Sequence, residues 1–234
     1  MTRISYFTSA VLVTLAMAAH AQSFKIDDFE SGAFYLQADV PGSAPGAVQP
    51  SLPTSSVLGG ERGPSTLLWL GSANSPAVFN LDLSGAGKHG VVLQVPADST
   101  AGGGLLYPGA AFGGLGENFT ARRVTGLSFS FQQDPGNGTL EISADGPAGV
   151  VAASISLTGA NNYTVPLSSF IGPVAVFGDI NEIFVNMFYS AGANPVTAEL
   201  SDITALTAVP ESAEALGVTG VALLSFGVLR RRCS

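Results

Sequence analysis

The chain has 234 residues, of which 46% are hydrophobic, and 9 Lys and Arg stand against 17 Asp and Glu for a formal charge of −8. That balance lacks the basic face a nucleic-acid partner requires, so none is expected. The single cysteine, Cys233, lies at the very end. The residues before it therefore have no disulfide, no thiolate metal site and no cysteine nucleophile.

Arg3 opens a short basic segment, and residues 10–19 form an apolar run interrupted only by Thr14. Ala19-His20-Ala21 fits a small-x-small cleavage pattern before Gln22. Residues 1–21 thus read as a signal peptide with a helical apolar core. An N-terminal anchor helix is the alternative, but the run is short and the cleavage pattern good. Residues 22–208 are then the exported domain. Up to Val209 they carry Lys25, Arg62, Lys88, Arg122 and Arg123 against fifteen acidic residues, a net charge of −10.

No long stretch of helical period occurs between Gln22 and Val209. Short apolar or alternating runs are separated by Gly, Pro, Asn and Asp. Residues 24–30 read as a strand entering the turn Glu30-Ser31-Gly32, and residues 34–40 as a second strand. Residues 41–53 are a Pro/Gly/Ala/Ser loop. Residues 66–70 form a strand carrying the only tryptophan, Trp69. Residues 78–83 and 91–95 pair across the polar segment 84–90. Residues 101–116 are Gly-rich, a loop with one short strand around Leu105-Leu106-Tyr107. Residues 124–132 form a strand, and Asp134-Pro135-Gly136-Asn137-Gly138 is a strong turn. Strands follow at 139–144, 150–157, 180–189 and 196–206, and between the second and third of these, residues 162–167 lead to Phe170. About ten to eleven strands suffice for an all-β fold, a two-sheet antiparallel β-sandwich.

Few residues offer catalysis. His89 sits in a Gly-rich turn with no Gly-x-Ser-x-Gly elbow, and reads as a surface residue rather than a general base. Gly102-Gly103-Gly104 lacks the Lys-Ser/Thr of a phosphate loop. A retaining glycosidase needs two carboxylates about 5 Å apart in a cleft, which spacing alone does not reveal. Glu61 and Arg62 suggest a salt bridge or a bidentate polar contact, which reads as fixing a loop against the sheet rather than binding a ligand. Trp69, Tyr35, Tyr107, Tyr163 and Tyr189 suggest a sugar-stacking platform, although aromatics of a sandwich are more often core.

The last residues are distinctive. Val209, Pro210 and Glu211 precede an apolar run, residues 213–229, and Arg230, Arg231 and Arg232 follow it at once. As a helix those residues would extend about 25 Å, the short limit for a membrane span, with the arginines kept in the cytoplasm. A buried amphipathic helix is the alternative, but the run has no polar face. This tail, residues 209–234, resembles the PEP-CTERM sorting signal, with Ser212 standing where the family has a second proline. The resemblance implies recognition by an exosortase-type membrane protease, cleavage near the box and delivery to the cell surface.

Ile26-Asp27-Asp28-Phe29-Glu30, Leu58-Gly59-Gly60-Glu61-Arg62, the segment from Tyr163 to Phe170 and Leu200-Ser201-Asp202-Ile203 resemble pieces of exported jelly-roll domains akin to carbohydrate-binding modules. In such domains the terminal strands are neighbours. Asp27, Asp28 and Asp202 would then converge, with oxygens for a structural Ca²⁺. Carboxylates capping turns are the favoured alternative, and no other cofactor is expected. The expected function is an exported, surface-sorted, non-catalytic structural protein of an extracellular, exopolysaccharide-associated matrix. A cell-surface carbohydrate-binding module is the alternative, and a glycosidase the least favoured reading.

Overall fold

The computed structural model describes residues 23–39, 52–53, 57–71, 75–108 and 114–208. All fall in the unit Gln22–Ala208. The signal peptide, residues 1–21, and the sorting tail, residues 209–234, lie outside the described residues.

The described strands are β1 (Ser23–Asp27), β2 (Phe34–Ala38), β3 (Leu52–Pro53), β4 (Glu61–Gly71), β5 (Ala77–Leu81), β6 (Val91–Val95), β7 (Ser99–Tyr107), β8 (Val124–Gln133), β9 (Gly138–Gly146), β10 (Gly149–Leu157), β11 (Asn162–Pro166), β12 (Glu182–Ser190) and β13 (Val196–Thr207). They form the expected two-sheet antiparallel sandwich. One sheet has seven strands in the order β11-β8-β13-β6-β5-β2, with β1 also paired to β13. The other has six in the order β10-β9-β12-β7-β4-β3. The first and last strands are hydrogen-bonded neighbours, Lys25 opposite Thr204. From β6 onward the chain changes sheet at every step except the β9–β10 hairpin.

Alternation makes the core. Phe34 and Leu36 of β2, Phe79 and Leu81 of β5, and Phe129 and Phe131 of β8 point inward. They meet Leu67 and Trp69 of β4, Leu105 and Tyr107 of β7, and Val185, Met187 and Tyr189 of β12. Each fully buried side chain of this size contributes on the order of 1.5–3 kcal/mol.

Two sequence expectations are corrected. The strand expected around Leu105-Leu106-Tyr107 is longer than the sequence suggested: β7 runs nine residues, Ser99–Tyr107, through the glycines and lies between β12 and β4, while residues 109–113 lie outside the described residues. Gly103 faces the interior, and a Cβ there would enter the ring of Phe79 from the opposite sheet. Gly102 faces outward, where Phe188 of β12 lies over it. The missing side chains are thus replaced by neighbouring rings. β4 also begins earlier than expected, at Glu61, directly after a 3-10 turn at Leu58–Gly60.

Candidate functional site

The first polar centre is buried between the sheets. Asp27 ends β1 and is fully buried, as is Arg62 near the start of β4. Arg62 Nη1 donates to Asp27 Oδ1 at 2.7 Å and Oδ2 at 2.6 Å. Its Nη2 donates to the carbonyls of Ser31 and Gly32. Tyr107 of β7 donates its hydroxyl to Asp27 Oδ2 at 3.0 Å. The Phe29 N–H donates to Asp27 Oδ1 at 2.8 Å, closing a local turn that holds Phe29 at φ 58°. A left-handed conformation costs a bulky residue on the order of 1–2 kcal/mol. The Phe29 ring offsets that by lying wholly buried under the Arg62 guanidinium, 5.2 Å away. Burial pushes the Asp27 carboxyl above its ordinary range, and the Arg62 charge pulls it part of the way back. Burial holds the Tyr107 phenol well above its ordinary value, so it donates and does not ionise. This centre pins the segment after β1 to β4 and β7. Asp27, Arg62 and Tyr107 are all removed from solvent.

The expected Glu61–Arg62 pairing is corrected accordingly, because the guanidinium turns inward to Asp27. The three carboxylates weighed for Ca²⁺ are placed separately. Asp27 is bound to Arg62, and Asp28 Oδ1 caps the Glu30 N–H at 3.1 Å. Asp202 pairs with Lys25 and accepts from the Thr204 hydroxyl at 2.5 Å. Among the described residues no group of three His, Cys, Asp or Glu is placed to hold a metal ion.

A second centre closes one end of the sandwich. Asp134, in the turn after β8, accepts the hydroxyls of Tyr163 and of Tyr189, the latter at 3.0 Å. It also accepts the N–H groups of Gly136 and Gly159. Tyr163 in turn accepts from the Thr158 and Ala160 N–H groups. Of the two readings of the aromatics, burial favours the core over the platform. Trp69, Tyr107 and Tyr189 are core residues, and of the five aromatics Tyr35 alone is exposed, at 53%.

Tyr35 belongs to the third feature, the outer face of the seven-stranded sheet. Directly paired residues of an antiparallel sheet share a face. Tyr35 of β2 pairs with Asn80 of β5, Asn80 with Val92 of β6, and Val92 with Glu199 of β13. The next row on the same face is Gln37, Val78, Gln94 and Thr197. At about 4.8 Å between strands each four-residue row spans about 14 Å. The rows hold two valines, Val92 half-buried and Val78 buried, bordered by two glutamines, an asparagine, a threonine, a carboxylate and a phenol. The Tyr35 hydroxyl donates to Gln37 Oε1 at 2.5 Å, and Gln37 donates onward to Asp39. The side chains of Asn80, Gln94 and Glu199 make no hydrogen bond or ion pair among the described residues. A shallow depression lined by Ala33, Phe34, Tyr35, Asn80, Leu81 and Asp82 continues the first row at its β2 edge.

The β5–β6 loop borders this face at its other end, where Gly90 packs against the Glu199 side chain. His89 anchors that loop. Its Nδ1 lies 3.0 Å from Glu30 Oε2 and its Nε2 lies 3.1 Å from the Gly85 carbonyl. Both partners are acceptors, so the imidazolium alone satisfies both. The Glu30 bond, with the Gly85 carbonyl second, holds the ring above its ordinary value. The sequence reading missed these two rows. Their signal was the alternation of Tyr35-x-Gln37 and Val92-x-Gln94, which is invisible as a site until register aligns the strands.

Among the described residues, fold and site define an antiparallel β-sandwich with a buried ion-pair centre and a polar, partly exposed outer face. No protein-family model and no curated protein matches the chain. Among solved structures it is similar to the family 11 carbohydrate-binding module from Clostridium thermocellum in complex with a β-1,3-1,4-mixed-linked tetrasaccharide. That match has 13% identity and a TM-score of 0.41, covering 80% of this chain and 96% of that one. The solution structure of CtCBM11 matches at 13% identity and a TM-score of 0.42, covering 82% and 99%. The glycoside hydrolase domain of Endo-D from Streptococcus pneumoniae R6 matches at 11% identity and a TM-score of 0.36, covering 73% of this chain and 27% of that one.

Proposed function

We propose that the domain is a non-catalytic polysaccharide-binding module of an exported, surface-sorted chain, and that it binds through the outer face of the seven-stranded sheet. The observation that carries this is the pair of rows Tyr35–Asn80–Val92–Glu199 and Gln37–Val78–Gln94–Thr197. Any antiparallel sheet with a solvated side shows polar residues there. This face differs in its arrangement. The exposed Tyr35 ring and the half-buried Val92 suit the C–H face of a sugar ring, and side-chain amides and a carboxylate around them suit hydroxyls. Three of those polar groups, Asn80, Gln94 and Glu199, are left without a protein partner among the described residues. A purely structural role in a matrix would not need such a face. The buried state of Asp27 and the engaged ring of His89 also favour binding over hydrolysis.

A glycan array probed with the fragment 22–208 tests this. Binding that weakens at least about tenfold, about 1.4 kcal/mol, in Tyr35→Ala and Asn80→Ala supports the reading. Silence across neutral and acidic polysaccharides returns the domain to a structural role.

Sorting remains part of the same proposal. Val209, Pro210 and Glu211 would be read by an exosortase-type protease while residues 213–229 hold the chain in the membrane and Arg230–Arg232 stay inside. Intact-mass analysis of the protein from its native host is expected to give a C-terminus near Glu211. A mature form that keeps Arg232 makes the tail a plain anchor.

A further inference from the structure

The rows on the outer face carry the same negative sign as the domain as a whole, and within the rows no cation offsets it. No Lys or Arg occupies any position of either row. Glu199 stands in the first row. Asp39 follows Gln37 at the end of β2 and accepts from its amide. Asp82 follows β5 and lines the depression beside Tyr35 and Asn80. The Ser84 N–H donates to Asp82 at 2.9 Å and holds its carboxyl below the ordinary range, so it is an anion at neutral pH. Three of the described cations are committed elsewhere. Arg62 is buried on Asp27, Lys25 pairs with Asp202, and Arg122 pairs with Glu117 while stacking on Phe24. Lys88, on the β5–β6 loop that borders the face, makes no ion pair among the described residues, and the Lys25 ammonium is depressed first by burial and then by Lys88.

Resting on the polysaccharide-binding reading, we infer that the face selects neutral polysaccharides and rejects polyuronates, through Glu199, Asp82 and Asp39. A neutral sugar presents hydroxyl donors to these carboxylates, and hydrogen bonds to an ionised acceptor are roughly twice as strong as neutral ones. A uronate would bring a carboxylate against them with no guanidinium or ammonium in either row to answer it. Like-charge juxtaposition of that kind suppresses the wrong ligand more than it strengthens the right one. The net charge of −10 before the tail adds a long-range repulsion of the same sign, which salt screens.

The test is affinity electrophoresis of the purified chain in gels containing a neutral glucan, a galactomannan, polygalacturonate or alginate. EDTA is present throughout, so that no divalent cation bridges carboxylates. Retardation by a neutral polymer at least about tenfold stronger than by either polyuronate is expected. The double variant Glu199→Gln/Asp82→Asn is expected to narrow that ratio several-fold by admitting the polyuronate. Equal or stronger retardation by polyuronate overturns the charge selection and leaves polysaccharide binding intact. A neutral preference unchanged in the double variant overturns its assignment to these carboxylates. Retardation by none of the four polymers overturns both this inference and the binding reading beneath it.

Discussion

Arg62 and Asp27, 35 residues apart, meet as a buried ion pair with one guanidinium nitrogen on both carboxylate oxygens at 2.7 and 2.6 Å. Both residues are almost wholly removed from solvent. Taking two charges out of water is costly, so such a pair tolerates neither partner alone. Arg62→Met leaves Asp27 as an uncompensated buried anion, and a loss of about 3–5 kcal/mol is expected in chemical denaturation. Asp27→Asn strands the guanidinium and should cost a similar amount. The double variant should lose clearly less than the sum of the two, since each single change already removes the same contact. Additive losses would show that the two residues act independently.

Gly103 on β7 is the next point of strain relief. A methyl group there enters the Phe79 ring, which is fully buried against it from the other sheet. Gly103→Ala is expected to destabilise the domain by about 1–3 kcal/mol through overpacking, as read from the shift in urea midpoint. Phe79→Leu in the same background should recover part of the loss. A neutral Gly103→Ala would mean that the sheets separate locally at no cost.

His89 makes the loop beside the outer face sensitive to pH. Its folded value is raised above the ordinary 6.5 by Glu30 and by the Gly85 carbonyl. The sign follows from that direction. Both bonds are complete below the unfolded value, and their contribution is lost as pH rises through the folded value. The wild type should therefore lose more melting temperature between about pH 6 and about pH 9 than His89→Gln does. An imidazole titration by NMR should place the midpoint above 6.5. A midpoint at or below that value would dissolve the latch.

For the Ca²⁺ expectation, the expected outcome is an unchanged melting temperature on adding EDTA. Both oxygens of Asp27 already accept from Arg62, and Tyr107 adds a third donor. Asp28 is occupied in capping the Glu30 N–H, and Asp202 in pairing with Lys25. A melting temperature that chelation lowers, with the effect lost in Asp28→Ala, would instead place a cation at the first strand.

Alternation and turn chemistry were legible in the chain as written. The expected pairing of 78–83 with 91–95 is found between residues 78–81 and 91–94, in the register Val78 opposite Gln94, and the first strand ends at Leu81. Asp134 to Gly138 does turn the chain from β8 to β9, because Asn137 takes a positive φ and Asp134 caps the Gly136 N–H. Both signals are local, set by side-chain period and by residues that tolerate unusual backbone angles. The Gly-rich stretch misled for the opposite reason. Gly102 and Gly103 carry no pattern of their own, and only the rings of Phe188 and Phe79, distant in sequence, make a strand of them. The segments Ile26 to Glu30 and Leu58 to Arg62 stood out in the sequence, but separately. That Asp27 of one binds Arg62 of the other was decided by the packing of β1 and β4 in different sheets. The outer face arose in the same way. Tyr35, Asn80, Val92 and Glu199 come from four strands spread over most of the domain. Hydrogen-bond register alone sets them side by side, and register is a property of paired strands that no single strand contains.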